Sequence, residues 1–212
     1  LGGRDSYDCY IARLSQNGDT IWTNTYEGYL IPNLYELNSD RYVMGFYNFN
    51  REVEGQGIRL IYSNGDSVAY FAISNAGIYG SQLKQVCMTY DKNYILVYTT
   101  FTIFHIGGKF EKVDSLGNSL WENGCLPDAY LIQTKDSAFA YISSWWSPLT
   151  LVKTDIYGNV VWTQEYPDTT TSVSHVCLEQ VGDEGYLILA NDDNQNKKGC
   201  INAHRCSPDD LL

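Results

Sequence analysis

The sequence lacks the features that mark several large classes of protein. It contains no run of about 18 apolar residues and no useful stretch of helical period, so we predict neither a membrane-spanning helix nor a helical bundle. Basic residues are scarce, since 14 lysines and arginines oppose 25 aspartates and glutamates and give a net charge of −11. This balance argues against a nucleic-acid partner, because phosphate binding requires a basic surface.

Signatures of metal or nucleophilic chemistry are also missing. No CxxC pair, HExxH motif or Ser/His/Asp spacing occurs, and the three histidines, His105, His175 and His204, each stand alone in their segments. We therefore predict no catalytic residues, no metal site and no cofactor. The weaker alternatives are a general-base role for His175 and a calcium loop at 192–196, which has closely spaced oxygen ligands but lacks the spacing of an EF-hand.

Six cysteines leave two interpretations open. An even number in a tyrosine-rich chain suggests disulfides and an oxidising compartment, whereas the alternative is several buried free thiols in strands. Cys87 and Cys177 stand in similar contexts, which suggests matching positions in the inner strands of two units. The chain opens on Leu1 with neither a methionine nor a signal peptide, which suggests a processed protein or a piece of a longer one.

A turn containing glycine followed by Asp or Asn recurs four times, at intervals of 47, 52 and 41 residues. A tryptophan follows four residues later in three of the four copies. A second marker, a polar turn ending in an aromatic residue, recurs at 39–42, 91–94, 136–139 and 183–186. Two markers with similar intervals predict a repeat architecture. The structural repeat residues are Gly18, Trp22, Gly65, Gly117, Trp121, Gly158 and Trp162.

Each unit is predicted to contain four strands, which we letter a to d. The first full unit has strands near 31–37, 41–48, 58–63 and 67–73; the second near 83–90, 93–100, 109–114 and 119–123; the third near 129–134, 138–144, 150–155 and 160–166. The start of the chain supplies only c (8–14) and d (20–26), and the end supplies a (173–180), b (185–190) and c (200–206). The glycines are predicted at positive φ in the c–d turns, and the recurring aspartates are predicted to form turns.

Four-stranded antiparallel units at this interval are typical of a β-propeller. We predict one all-β domain over 1–212, with about four and alternatively five blades. The repeats cover about 28–73, 79–126 and 127–168, and a seam blade combines 171–206 with 4–26. The tryptophans of strand d are predicted to fill the space between neighbouring units. The segment 199–206 is then surplus, and we expect it to be an artefact of excision or an edge strand open to a second molecule.

The c–d hairpin also resembles the repeat of a known group of proteins. The phrase DCYIARLSQNGDTIWTNTY (8–26) is similar to the repeat of secreted bacterial propeller-like proteins, D-x-Y-x-x-K/R-x-D/S-x-x-G-[DN]-x-x-W-x-x-x-Y. Matching residues are Asp8, Tyr10, Arg13, Gly18, Trp22 and Tyr26, and again Lys153, Asp155, Gly158, Trp162 and Tyr166. The second unit departs from it, with Ala69 in the tryptophan position. The resemblance implies a propeller and a secreted or cell-surface location, and it carries no catalytic residue set.

The b–c loops are the predicted binding face, because in a propeller they surround one mouth of the central channel. Their aromatic and histidine residues are predicted to bind a protein or glycan: Phe49, Phe104, His105, Trp145 and Trp146. Alternatively, Trp145 and Trp146 continue strand b into the inter-blade spaces. We expect a non-catalytic extracellular module for binding, assembly or scaffolding. The alternatives are a carbohydrate-active enzyme, glycoside hydrolase or lyase, with paired carboxylates at the channel mouth, and a structural subunit of an extracellular filament.

Overall fold

The computed structural model describes residues 8–27, 29–48, 55–73, 81–143, 148–166, 173–182, 184–192 and 204–206. Within these ranges every regular element is a β-strand, which confirms the predicted all-β class. The strands are β1 (Asp8–Leu14), β2 (Thr20–Glu27), β3 (Tyr29–Asn38), β4 (Arg41–Asn48), β5 (Gly55–Tyr62), β6 (Ser67–Ile73), β7 (Ser81–Met88), β8 (Tyr94–Phe101), β9 (Ile106–Val113), β10 (Ser119–Cys125), β11 (Tyr130–Gln133), β12 (Phe139–Ser143), β13 (Leu149–Thr154), β14 (Val160–Tyr166), β15 (Val173–Gln180), β16 (Tyr186–Asp192) and β17 (His204–Cys206).

The described strands form five antiparallel sheets in chain order. Sheet 1 is β1–β2, sheet 2 is β3–β4–β5–β6, sheet 3 is β7–β8–β9–β10, sheet 4 is β11–β12–β13–β14 and sheet 5 is β15–β16–β17. Every pairing joins strands that follow one another in the chain, and the three complete units each form a four-stranded sheet. The first strands of sheets 2 to 5 contact one another in succession, so each of these sheets packs against the next; they are β3, β7, β11 and β15.

The two ends of the chain differ from the seam blade expected from 171–206 and 4–26. The structure divides these strands between sheet 1 and sheet 5, and β17 pairs with β16 at Tyr186↔Cys206, Leu187↔Arg205 and Ile188↔His204. The physical reason is that β17 occupies the edge of β16 that β1 would need for pairing. The predicted c strand of the last unit is thus formed at 204–206, although residues 200–203 lie outside the described part of the chain.

The four c–d turns share one backbone geometry. Gly18, Gly65, Gly117 and Gly158 have φ values of +87°, +93°, +86° and +84°. In the last turn the Gly158 N–H donates to the Asp155 carbonyl and the Asp155 N–H donates to the Asn159 carbonyl, and the other three turns repeat this pattern. Each is therefore a three-residue turn with glycine in the left-handed position, which favours glycine because an L side chain clashes there.

The a–b turns of sheets 3, 4 and 5 use the same geometry without glycine. Lys92, Ser137 and Glu184 occupy the left-handed position, with φ between +63° and +66°. Their N–H groups donate to the carbonyls of Thr89, Thr134 and Val181, respectively. The repeat therefore has two turns of one kind, and only the c–d turn was recognisable from its glycine.

The hydrophobic core lies between sheets. We call the side of each sheet that meets the following sheet its forward face, and the side that meets the preceding sheet its backward face. Between sheets 3 and 4, the forward-face residues Ile95, Val97 and Phe110 pack against the backward-face residues Phe139 and Tyr141. Trp121 joins this cluster, with its ring centre 5.8 Å from that of Phe139. Equivalent clusters join sheets 1 to 2, 2 to 3 and 4 to 5.

Strand d of one sheet also contacts the c–d turn of the next. In sheet 1 the Trp22 indole N–H donates to the Ser63 carbonyl at 2.6 Å, and the Asn24 amide donates to the Gly65 carbonyl. In sheet 3 the Asn123 amide donates to the Tyr157 carbonyl at 2.6 Å. The Trp-x-Asn sequence of strand d thus supplies both an aromatic surface and a hydrogen-bond donor to the following turn.

Candidate functional site

Two of the five predicted binding residues lie in the described structure. Phe104 and His105 follow β8 in a b–c loop, whereas Phe49, Trp145 and Trp146 lie outside the described residues. The convergence of these aromatic residues at one face therefore stays a prediction. The side chains of His175 and His204 and the acidic loop 193–196 also lie outside the described part.

The loop after β8 is an ordered turn that exposes apolar side chains. The Thr102 N–H donates to the His105 carbonyl at 2.9 Å, and the His105 N–H donates to the Thr102 hydroxyl at 3.0 Å. Between these residues, Ile103 and Phe104 point into solvent, and Phe104 is 94% exposed. A fixed turn with an exposed phenylalanine at its tip suits contact with a partner surface.

Carboxylates of the c–d turns are engaged in backbone hydrogen bonds. The Asp155 carboxylate accepts the N–H groups of Tyr157 and Asn159 at 2.8 and 2.9 Å and the Asn159 amide at 2.8 Å. Asp114 makes the equivalent bonds to Leu116 and Asn118. Bonds from the Asn side chains, followed by backbone N–H bonds, lower the pKa of both carboxyls. These aspartates are therefore turn formers, as the sequence predicted.

Carboxylates of the a–b turns are paired with lysines from strand c. The Lys112 ammonium lies 2.7 Å from Asp91, and the Lys153 ammonium lies 3.0 Å from Asp136. A threonine two residues before each aspartate donates its hydroxyl to the carboxylate. Partial burial acts to raise the pKa of Asp91, but hydrogen bonds from Lys112, Thr89 and Asn93 outweigh it and lower the pKa to about 2.

Replacement of Asp91 by asparagine is expected to cost stability only when the carboxylate is charged. Because the folded pKa of about 2 lies below the ordinary value of about 3.9, the contribution is complete above pH of about 4 and is lost as pH falls through about 2. The side chain is 52% exposed, so we expect less than about 1 kcal/mol at pH 7. Urea unfolding of both proteins at neutral and acid pH measures this. A difference that persists unchanged below pH 2 would contradict the assignment.

Glutamines join the first strand of one sheet to the neighbouring sheet. The Gln85 amide donates to the Leu131 carbonyl and its oxygen accepts the Leu131 N–H, both at 2.8 Å. Gln133 accepts the N–H of Tyr90 in the preceding a–b turn, and Gln180 accepts the N–H of Lys135 in the same way. These glutamines could not be identified from the sequence, because a glutamine beside a turn carries no signal that separates it from a solvated polar side chain.

The described cysteines are free thiols. Cys87, Cys125 and Cys177 form no disulfide, so these three follow the free-thiol alternative, and the side chains of the others lie outside the description. Burial raises the pKa of Cys125 to about 12, which keeps this thiol protonated and unreactive. The prediction that Cys87 and Cys177 occupy matching positions was wrong.

Strand register explains that correction. Cys87 pairs with Ile95, one residue after the turn aromatic Tyr94, whereas Cys177 pairs with Leu189, three residues after Tyr186. The two cysteines are thus displaced by two residues along strand a. The two strands look equivalent in sequence because each contains a Val-Cys pair, but that pair lies at a different distance from the a–b turn in each.

Two cavities open between described sheets. The larger, of about 380 Å³, lies on the backward face of sheet 4 and is lined by residues including Leu126, Tyr141, Thr163 and Glu165. Glu165 is the one carboxylate among its described lining residues, whereas glycoside hydrolysis ordinarily uses two. The smaller, of about 210 Å³, lies between sheets 1 and 2. Neither cavity offers a pair of carboxylates.

The described residues also hold no metal-binding constellation. They contain no group of three or more His, Cys, Asp or Glu side chains placed to hold a metal ion. In the same ranges there is no helix of the length and apolarity needed to cross a membrane.

The chain is similar in fold to a carbohydrate-degrading enzyme. No protein-family model and no curated protein matches its sequence. Among solved structures, it is similar to an exo-β-1,3-galactanase from Phanerochaete chrysosporium, a five-bladed propeller. One complex with β-1,3-galactotriose gives a TM-score of 0.53 at 9% identity, covering 91% of this chain and 49% of the enzyme. The complex with galactose gives 0.50 at 9% identity, covering 87% and 47%.

A second galactotriose complex gives a TM-score of 0.51 at 10% identity, covering 88% of this chain and 48% of the enzyme. The chain therefore spans about half the length of the enzyme that it resembles. At this level of identity the likeness concerns the fold alone. It supports a β-propeller-like arrangement of the antiparallel sheets.

Proposed function

We propose that this chain is a non-catalytic, extracellular β-propeller-like module that binds a protein or glycan partner at its b–c loops. The observation that supports the non-catalytic part of this proposal is the direction in which the pKa values of the carboxyl groups are shifted. Every described carboxyl group with a shifted pKa has it lowered, by turn hydrogen bonds or lysine pairing. A glycosidase needs one carboxylic acid with a raised pKa to protonate the leaving group. The described residues therefore favour binding over hydrolysis.

The proposed arrangement is an open radial array of five sheets. Its support is the succession of contacts along the first strands of sheets 2 to 5, the alternation of forward and backward faces, and the likeness to a five-bladed enzyme. Sheets 1 and 5 are incomplete in the described residues, with two and three strands. Such an array places the b–c loops on one side. Among the described residues, Phe104 is the exposed aromatic residue of these loops that could contact a partner.

A carbohydrate-active enzyme is the second candidate. It is favoured by one observation, the likeness to an enzyme solved with β-1,3-galactotriose and with galactose. The two described cavities do not supply the pair of carboxylates that this chemistry uses. The two candidates predict opposite results for β-1,3-galactotriose, because the enzyme would hydrolyse it and the binding module would not.

Incubation with β-1,3-galactotriose separates the two candidates. We expect no release of galactose above the buffer rate, measured by anion-exchange chromatography over several hours at pH 5 and pH 7. Binding to immobilised β-1,3-galactan is measured in parallel for the wild type, Phe104→Ser and the control Leu120→Ser, an exposed residue of β10. Retention lost only in Phe104→Ser supports a glycan site at the loop. Galactose release would overturn the non-catalytic proposal.

A further inference from the structure

The interface between sheets 1 and 2 lacks a component that the other interfaces contain. In each later interface, strand b of the preceding sheet supplies fully buried apolar residues, such as Ile95 and Val97 between sheets 3 and 4. Sheet 1 contains only strands c and d in the described residues, so no described strand b covers this place. The cavity of about 210 Å³ lies there, lined in part by Ile11, Arg13 and Leu34.

The exposure of Leu34 indicates that a strand is missing beside it. By register, Leu34 pairs with Met44, as Val86 pairs with Leu96, Leu131 with Tyr141 and Leu178 with Ile188. Those three equivalents are at most 4% exposed, whereas Leu34 is 55% exposed. An exposed leucine at a position that is buried in sheets 3, 4 and 5 indicates a groove built for a further strand. We call it the β1 groove, formed by Ile11, Arg13, Leu34 and Tyr42.

The opposite end of the array carries the complementary surface. Leu187 of β16 is equivalent to Val43, Ile95 and Ala140, because each follows the turn aromatic by one residue. Leu189 is likewise equivalent to Val97 and Ile142. All five equivalents are fully buried under the following sheet, whereas Leu187 and Leu189 are each 39% exposed. Sheet 5 thus presents on its forward face the two apolar residues that the β1 groove lacks.

We propose that β16 of a second copy of this chain docks beside β1 and completes sheet 1 as its strand b. The register follows from the internal repeat. Because Ile95 pairs with Lys112 and Val97 pairs with Phe110, the incoming Leu187 pairs with Arg13 and Leu189 with Ile11. Both leucines then face Leu34 and Tyr42 across the groove, as the strand-b residues do between sheets 3 and 4.

The incoming copy exchanges one strand partner for another. On its own chain β16 is paired with β17 over three described residues, whereas β16 and β1 are each seven residues long. Docking on β1 displaces β17 and forms a ladder along β1, with additional apolar burial at the groove. The interface is heterologous, since one copy gives β16 and the other gives β1, and successive additions build a chain or ring of copies.

Docking of β16 on β1 does not depend on the function proposed for the b–c loops. The two are tested by different measurements, namely mass for docking and hydrolysis or sugar retention for the loops. Light scattering coupled to size-exclusion chromatography is performed on the wild type, Leu34→Asp, Leu187→Asp and the control Val161→Asp, an exposed residue of β14. The wild type and the control are expected to grow in mass with concentration. Each charged variant is expected to dissociate at least about tenfold more readily, because a carboxylate is buried in an apolar contact.

Mixing the two charged variants is the decisive measurement. Leu34→Asp keeps an intact β16, and Leu187→Asp keeps an intact groove, so an equimolar mixture is expected to form pairs of chains and nothing larger. Circular dichroism checks that each variant is folded, and Leu34→Ser and Leu187→Ser replace any variant that is not. A wild type that stays monomeric at all concentrations, including through closure within one chain, overturns the proposal. So does a mixture that stays monomeric, or a control that dissociates like the charged variants.

Discussion

Replacement of Phe110 by alanine is expected to destabilise the protein by about 3–5 kcal/mol, because it empties the centre of the interface between sheets 3 and 4. The ring is fully buried and lies 5.6 Å from Trp121 and 6.5 Å from Phe139, measured between ring centres. It also packs beneath the turn at Gly158. Removal of the ring therefore loses contacts on both sheets at once. Equilibrium urea unfolding measures the change.

Phe104 provides a matched control within the same chain. The same substitution removes the same atoms, but this ring is almost completely exposed. We expect Phe104→Ala to change the free energy of unfolding by less than about 0.5 kcal/mol. Equal effects of the two substitutions would contradict the assignment of Phe110 to the core between sheets.

Replacement of Gly158 by alanine is expected to cost more than the same change at Gly18. Both residues have φ near +85°, so both variants incur the cost of a left-handed side chain, about 1–2 kcal/mol. At Gly158 an added Cβ would also lie 2.8 Å from the Phe110 ring, whereas at Gly18 it would meet nothing within 4 Å. Because the Phe110 ring is fully buried and cannot move freely, we expect a further cost of about 1–3 kcal/mol.

The difference in stability loss between Gly158→Ala and Gly18→Ala separates the cost of disturbed packing between sheets from the cost of backbone strain. Thermal unfolding of both variants gives it directly, and Gly158→Ala in a Phe110→Ala background provides the double-mutant cycle. The further cost should shrink when the ring is absent. Equal losses at the two glycines would place the whole effect in the turn and none in the interface.

Much of the fold could be predicted from the sequence, because the same strand pattern occurs in several units and each copy supports the assignment of the others. The bounds of β1, β4, β6, β14 and β15 coincide with the predicted ones. Strand β9 begins at Ile106 rather than near 109, since Gly107 and Gly108 carry no strand propensity. Gly108 fits there for another reason, because a Cβ would lie 2.2 Å from the Leu126 carbonyl oxygen.

The candidate site could be predicted only in part. The aromatic residues of the b–c loops are visible in the sequence, and Phe104 is exposed as a contact residue requires. The β1 groove could not be found in this way, because Leu34 has the apolar character of its buried equivalents. Its exposure depends on which strand is absent from the neighbouring sheet. That information resides in the register between strands and not in the residue pattern.

The contacts made by the Trp-x-Asn sequence and by the first-strand glutamines bear on how such a chain changes length in evolution. The hydrogen bonds that these side chains make between sheets reach only the immediately preceding or following unit, and their partners there are mostly backbone atoms. Because a backbone group does not depend on residue type, duplication or loss of one whole unit in the gene would leave an acceptor or donor of the same kind at the new junction. Growth of the protein by unit copies therefore preserves these backbone-directed hydrogen bonds without a matching side chain in the neighbouring unit.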